Sequence, residues 1–307
     1  MGMYETPLTK HHSPLTKGIP MAHDTFRAGD LTAVIGDNSA AGEHRAGYNG
    51  VWSLTHRAEP MNLFVPIVAG LNFEHIFDGD RFDADNSRRI FFEPRNAPMT
   101  FRKISNTEAE LHQPPTPTFH LESWTRFTIT PPHAIDMHFR CRPTQHAFNH
   151  GYIGLFWASY IHGPEDKSMY FRSNGQWQQL CTQRHNDEST VRHAADKVEL
   201  RFSKGFPECL MRSYSPMRYD EPFFYGQFRD MTAIFLFDRT AGIRFTHSPS
   251  GGGFTKERQT SNPAWDFQYI IPKYEVKNEY GFRVRLVYRP RCSREEILRE
   301  AAAWRAR

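Results

Sequence analysis

In the stretch FNHGYIGLF, residues 148–156, a histidine follows a strand-like run and stands between an asparagine and a glycine. An imidazole titrates near neutral pH, so His150 in a cleft can exchange a proton with a bound hydroxyl, whereas at a strand end it can equally be a satisfied polar residue. Tryptophan raises a parallel choice. Trp52, Trp124, Trp157, Trp177 and Trp265 stand mostly beside turns or polar residues rather than inside apolar runs. Such rings either stack on the flat apolar faces of sugars or pack a core and its rim. The 16 histidines invite a metal reading as well. The pairs His146/His150 and His133/His138 lie among Pro131, Pro132, Pro143 and Gly151, which argue against the helix that would bring them to one face. No metal or other cofactor is expected, with His44, His56 and His75 as the alternative cluster. The glycine triplet of SPSGGGF lacks the lysine and the strand-to-helix setting of a phosphate loop, so it reads as a loop able to close over a ligand.

These side chains need a scaffold, and period-2 alternation supplies it. Ile135, Met137, Phe139 and Cys141 alternate with Asp136, His138, Arg140 and Arg142, the pattern of a strand with one buried and one wet face. Phe282, Val284, Leu286 and Tyr288 repeat it, with Arg283, Arg285 and Arg289 opposite. Further strands are expected at 31–35, 126–130, 197–202, 231–237, 243–246 and 268–271, separated by Pro, Gly, Asn and Asp clusters. One helix is expected, at the C-terminus, where Ser293 and Glu296 form an S-x-x-E capping box ahead of Ile297, Leu298 and an alanine run. Many short strands and one late helix predict an all-β fold, a large antiparallel β-sandwich over 25–307 as a single domain. A polar surface extension is expected over 1–24. No repeat of 20 to 50 residues argues for a propeller.

Composition narrows the function. Aromatics are 14% and charged residues 23%, so a sizeable core can form. A net charge of +4, with 38 basic residues scattered among 34 acidic ones, does not indicate nucleic acid. Cys141, Cys181, Cys209 and Cys292 form no CxxC pair and read as free thiols. No apolar run is long enough for a membrane span, and the N-terminus shows no apolar core of a signal peptide, so a cytoplasmic protein is the expectation.

The segment from the alternating strand at 135–142 through Asn149, His150, Gly151, Tyr152 and Leu155 resembles the aldose 1-epimerase (galactose mutarotase) family, in which such a strand leads into N-H-x-Y followed by Leu. AGLNFEHIFDG supplies His75, similar to the family's first active-site histidine, without the usual His-Gly-Gly context. KERQ supplies Glu257 in an E-x-Q arrangement like the family's catalytic glutamate motif, without the Pro-Asp-Ala that follows it there. The resemblance implies a β-supersandwich, agreeing with the alternation. It also implies acid–base chemistry on a sugar ring, with His150 as the acid, Glu257 as the base, and His75 with Arg57 polarising the sugar oxygens. Arg57 is assigned from its place before His75, and Arg45 fits nearly as well. Ring opening needs a proton delivered to the ring oxygen while another leaves the anomeric hydroxyl, so an acid and a base must flank one sugar face. Trp124, Trp157 and Trp265 are the expected stacking residues for a sugar or oligosaccharide. Two other classes stay open: a polysaccharide lyase or glycoside hydrolase on a β-sandwich, and a non-catalytic carbohydrate-binding protein, which needs only the aromatics.

Overall fold

The computed structural model describes residues 22–80, 92–206 and 209–306. The longest alternating runs form the middle of a nine-stranded antiparallel sheet. Its strands, from one edge to the other, are β11 (Gln176–Leu180), β10 (Met169–Ser173), β14 (Phe223–Phe228), β15 (Met231–Phe237), β20 (Tyr280–Pro290), β8 (Ala134–Pro143), β7 (Leu121–Thr130), β6 (Glu108–Gln113) and β5 (Thr100–Lys103). In β7 the inward set Leu121, Ser123, Thr125, Phe127 and Ile129 is buried while every intervening residue is partly exposed, as a period of two dictates.

A six-stranded sheet packs against its inner face, in the order β13 (Arg218–Tyr219), β12 (Thr190–His193), β16 (Ile243–Ser248), β19 (Ala264–Ile271), β9 (Ile153–Ala158) and β4 (Asn72–Phe77). All neighbours pair antiparallel except β12 with β13. Phe139 and Phe282 of the large sheet meet the Trp157 ring of the small one edge-on at 4.7 and 5.0 Å. Phe237 meets Phe267 in the same way, and each buried ring contributes roughly 2 kcal/mol of transfer free energy. A ribbon of β1 (His23–Ala28), β2 (Leu31–Gly36) and β3 (Gly50–His56) closes one side, and a short hairpin joins β17 (Phe254–Thr255) to β18 (Thr260–Ser261). One buried cluster draws on the ribbon and both large sheets. The fold is therefore the all-β antiparallel sandwich that the alternation predicts.

Helix α2 (Arg294–Arg305) begins at the capping box: Ser293 Oγ accepts from the Glu296 amide and Glu296 accepts from the Ser293 amide. Of the extension expected over 1–24, His23 and Asp24 belong to β1, and the rest, apart from Ala22, lies outside the described residues. The strand expected at 197–202 is not one. Val198, Leu200 and Phe202 do pack inward, but onto the outer face of the small sheet, and the Val198 carbonyl accepts from Arg244 and Arg192 side chains instead of a neighbouring strand. The small sheet is consequently covered on both faces. Every residue of β4, β9, β16 and β19 is buried.

Candidate acid–base site

Strand β4 carries a bulge. Phe73 pairs with Trp157 and His75 with Phe156, so Glu74 is the extra residue. Asn49 pins the irregular stretch, its side chain accepting from the Phe73 amide and donating to the Phe73 carbonyl. The bulge sets Glu74 and His75 side by side, His75 Nε2 lying 3.5 Å from Glu74 Oε2. Both are buried, with Phe92 and Phe156 rings packed on the imidazole at 4.5 and 5.2 Å.

Glu74 Oε1 accepts from the Tyr160 hydroxyl at 2.5 Å and from Arg95 Nη1 at 2.9 Å. Arg95 follows Pro94 at the start of a single helical turn, α1 (Glu93–Asn96). It lies over the Tyr48 ring at 4.0 Å and donates from Nε to the Gly47 carbonyl. Burial raises the Glu74 carboxyl, while Arg95 and the Tyr160 hydroxyl oppose that rise. Asp266, on β19, sends Oδ1 to the Ser159 amide at 3.0 Å. Burial, and after it the nearby Glu74, hold its carboxyl well above the usual range. Arg95 opens the cluster to a hollow of about 560 Å³, shared with Asn38, Gly47, Asn96 and Pro98.

His150 lies at the end of β4. Its Nδ1 is 2.9 Å from the Asp78 carbonyl, a partner that can only accept, so Nδ1 carries the hydrogen of the bond. The Asn149 amide donates to Asp78 Oδ2 and the Asn149 side chain to Asp80. Gly79, at φ +81°, permits this corner: a side chain there would run into the Arg201 carbonyl and the Tyr152 hydroxyl. Asp78 is three residues beyond His75, on the order of 10 Å along the strand. The structure thus places His75 within β4 and His150 just past its C-terminal end.

The other expected partners lie elsewhere. Glu257 is exposed in the turn between β17 and β18, where its neighbour Arg258 donates to the carbonyls of His162 and Gly163. That places it past the C-terminal end of β9, while His150 precedes the N-terminal end. Six extended residues separate them, roughly 20 Å. The structure does not bring Glu257 and His150 together. Arg57 is 78% exposed and paired with Asp30 in the turn after β3, remote from β4. Trp157 and Trp265 are fully buried, the first inside the aromatic core and the second donating to the Lys167 carbonyl, so neither offers a face to a ligand. Trp124 differs: it is half-buried on the outer face of the nine-stranded sheet, flanked by Arg140 and Arg142 at 5.4 Å and lining a hollow of about 350 Å³. His44 stacks on Trp52 and His56 faces Asp30, so the three-histidine alternative does not assemble. Among the described residues no group of three potential metal ligands converges.

Reading the sequence missed Glu74, Arg95, Tyr160 and Asp266. A signal was present: NFEHIF and AWDFQYII each set an ionisable residue inside an apolar run, a costly placement unless a partner holds it.

No protein-family model matches the chain, and a search of curated proteins finds no match either. Solved structures do resemble it. A candidate aldose 1-epimerase from Escherichia coli K12 superposes with a TM-score of 0.50 at 9% identity, covering 88% of this chain and 99% of the other. An aldose epimerase homologue from C. elegans gives 0.47 at 9% identity, over 88% and 99%. A heparan sulfate lyase from Pedobacter heparinus gives 0.47 at 13% identity over 89% of this chain, which spans about a third (36%) of the lyase. At these identities the likeness concerns the fold alone: the chain has the β-sandwich architecture of aldose 1-epimerase homologues. Among the described residues, no helix is long and apolar enough to cross a membrane.

Proposed function

We propose that the protein acts on a carbohydrate by acid–base chemistry of the aldose 1-epimerase kind, along edge strand β4, which carries Glu74 and His75 and has His150 past its C-terminal end. The observation that supports this reading most is the Glu74 carboxyl. It is buried and raised, in contact with a tyrosine hydroxyl and an arginine, adjacent to an imidazole, and linked through Arg95 to a hollow large enough for a sugar. In this reading Arg95 binds a sugar oxygen, Glu74 and His75 form one proton-exchanging pair, and His150 Nε2 serves as the other. Glu74 takes the part that the resemblance gave to Glu257.

The test is anomer exchange by saturation-transfer NMR, on sugars first selected from a mono- and oligosaccharide panel by thermal shift. Wild-type protein should accelerate exchange for at least one sugar. Glu74→Gln and His150→Ala should each lower the rate by about two orders of magnitude or more. Equal rates in wild type and both variants, or no acceleration for any sugar that binds, overturn the reading.

A non-catalytic carbohydrate-binding role is the second reading. The half-exposed Trp124 among arginines, on the face opposite the buried acids, favours it.

A further inference from the structure

Three hollows run into one another across the outer face of the nine-stranded sheet and around its end. The first, about 430 Å³, has an apolar floor of Tyr269, Ile271 and Pro272, and its mouth carries Lys197, Lys273 and Arg239. The second, about 420 Å³, shares Arg239 and Tyr280 with it and adds Arg283. The third shares His138 and Arg140 with the second and ends on Trp124 and Arg126. The line crosses β20, β8, β7 and β6, which at the usual strand spacing, together with the turn at 238–239, makes about 20 Å.

Charge along the line is uneven. Asp196, in the first hollow, is already held by the buried Arg244 at 2.9 Å, so Lys197 and Lys273, both exposed, are not neutralised by it. Asp238 is shared between Arg239 and Arg283, and Glu110 between Arg102 and Arg126, while Glu279 holds Arg140. Cations therefore exceed carboxylates, but carboxylates are interleaved among them. A ligand with a phosphate at every step would meet Asp238, Glu279 and Glu110 in turn. A chain of hydroxylated rings with a carboxylate on every ring or every second ring fits better. Its hydroxyls donate to the interleaved acids, its sparse charges meet the lysines and arginines, and its flat apolar faces lie on Tyr280 and the floor.

We propose that this track binds an acidic oligosaccharide, as a site separate from the β4 strand end and independent of catalysis there. The test is isothermal titration of the whole chain with a hyaluronan hexasaccharide, a hexagalacturonate, neutral cellohexaose and a short oligothymidylate. At least one acidic sugar should bind. Its affinity should exceed that for cellohexaose and fall several-fold as NaCl rises from about 50 to about 300 mM. The double variant Lys197→Glu/Lys273→Glu should weaken it about tenfold or more with an unchanged thermal midpoint, while Lys256→Glu, the same kind of substitution off the track, should not. The proposal is overturned if neither acidic sugar binds, if cellohexaose binds as well, if the oligothymidylate binds more tightly, or if the double variant binds like wild type.

Discussion

The Tyr160 hydroxyl and the Arg95 guanidinium converge on the same oxygen of Glu74, at 2.5 and 2.9 Å, in a site closed to water on the side of the core. Two donors on one buried carboxylate oxygen are what make an ionised Glu74 tolerable there, since a buried charge stripped of its partner is costly. Arg95→Met should therefore lower stability by roughly 3–5 kcal/mol in urea unfolding at neutral pH. Adding Glu74→Gln should restore a large part of that loss, because the stranded charge goes with it. Additive losses in the double variant would show that the two side chains do not form a coupled pair.

Asp266 has an amide donor but, among the described residues, no cation. Its carboxyl is held well above the ordinary range, so the folded protein keeps a proton that the unfolded chain releases above about pH 4. The sign follows: the favourable contribution is complete below the unfolded value and is lost as pH rises towards the folded one. Asp266→Asn preserves an acceptor for the Ser159 amide and removes the titration. Its thermal midpoint at pH 8 should exceed that of wild type by ~2–4 °C, with a smaller gap at pH 5. A wild-type midpoint that matches the variant at both pH values refutes the assignment.

The parts of this molecule that were legible in the sequence are those with one wet face. β8 and β20 show their alternation because Asp136, His138, Arg140 and Arg283 meet solvent or ion-pair partners there, and the Ser293–Glu296 box marks α2 because capping is a local interaction. β4 and β9 are covered on both faces, so NFEHIF and IGLFWA carry no period to read. The same double burial explains Trp157 and Trp265, whose polar neighbours in the sequence are themselves buried. The 197–202 run alternates for a real reason, packing on a sheet, without joining one. Of the proposed site, His75 and His150 stand out by type and context, whereas Glu74 does not. Whether Glu74 or Glu257 stands beside His75 depends on a bulge and on pairings between residues tens of positions apart, which no local pattern records.

His247 gives a second pH dependence, of opposite sense. Its Nε2 donates to the Lys167 carbonyl and its Nδ1 accepts from the Thr182 amide, an arrangement only the neutral ring satisfies. Burial pushes its pKa down to about 4. The stability this provides is complete above the unfolded value near 6.5 and is lost as pH falls through 4, about 3 kcal/mol over that window. His247→Gln should flatten the stability profile between about pH 4 and 6.5, and should cost about 1–3 kcal/mol at pH 7 through the hydrogen bonds it leaves unmade. An acid limb as steep in the variant as in wild type would place the acid sensitivity elsewhere.

Trp157 and Trp124 separate a core role from a ligand role. Trp157 is sealed by Phe73, Phe139, Phe267 and Phe282, with ring centroids 4.7–5.3 Å away. Trp157→Ala should cost about 3–5 kcal/mol through the cavity it leaves. Trp124 stands on the outer face with His112 stacked at 5.3 Å, so Trp124→Ala should cost about 1 kcal/mol or less. Binding should reverse the order. In buffer where both variants remain folded by circular dichroism, affinity for the acidic oligosaccharide should drop several-fold in Trp124→Ala and hold in Trp157→Ala, because only the first ring lines the track. Equal loss of binding in both would mean that the effect travels through stability, and that Trp124 makes no contact of its own with the glycan.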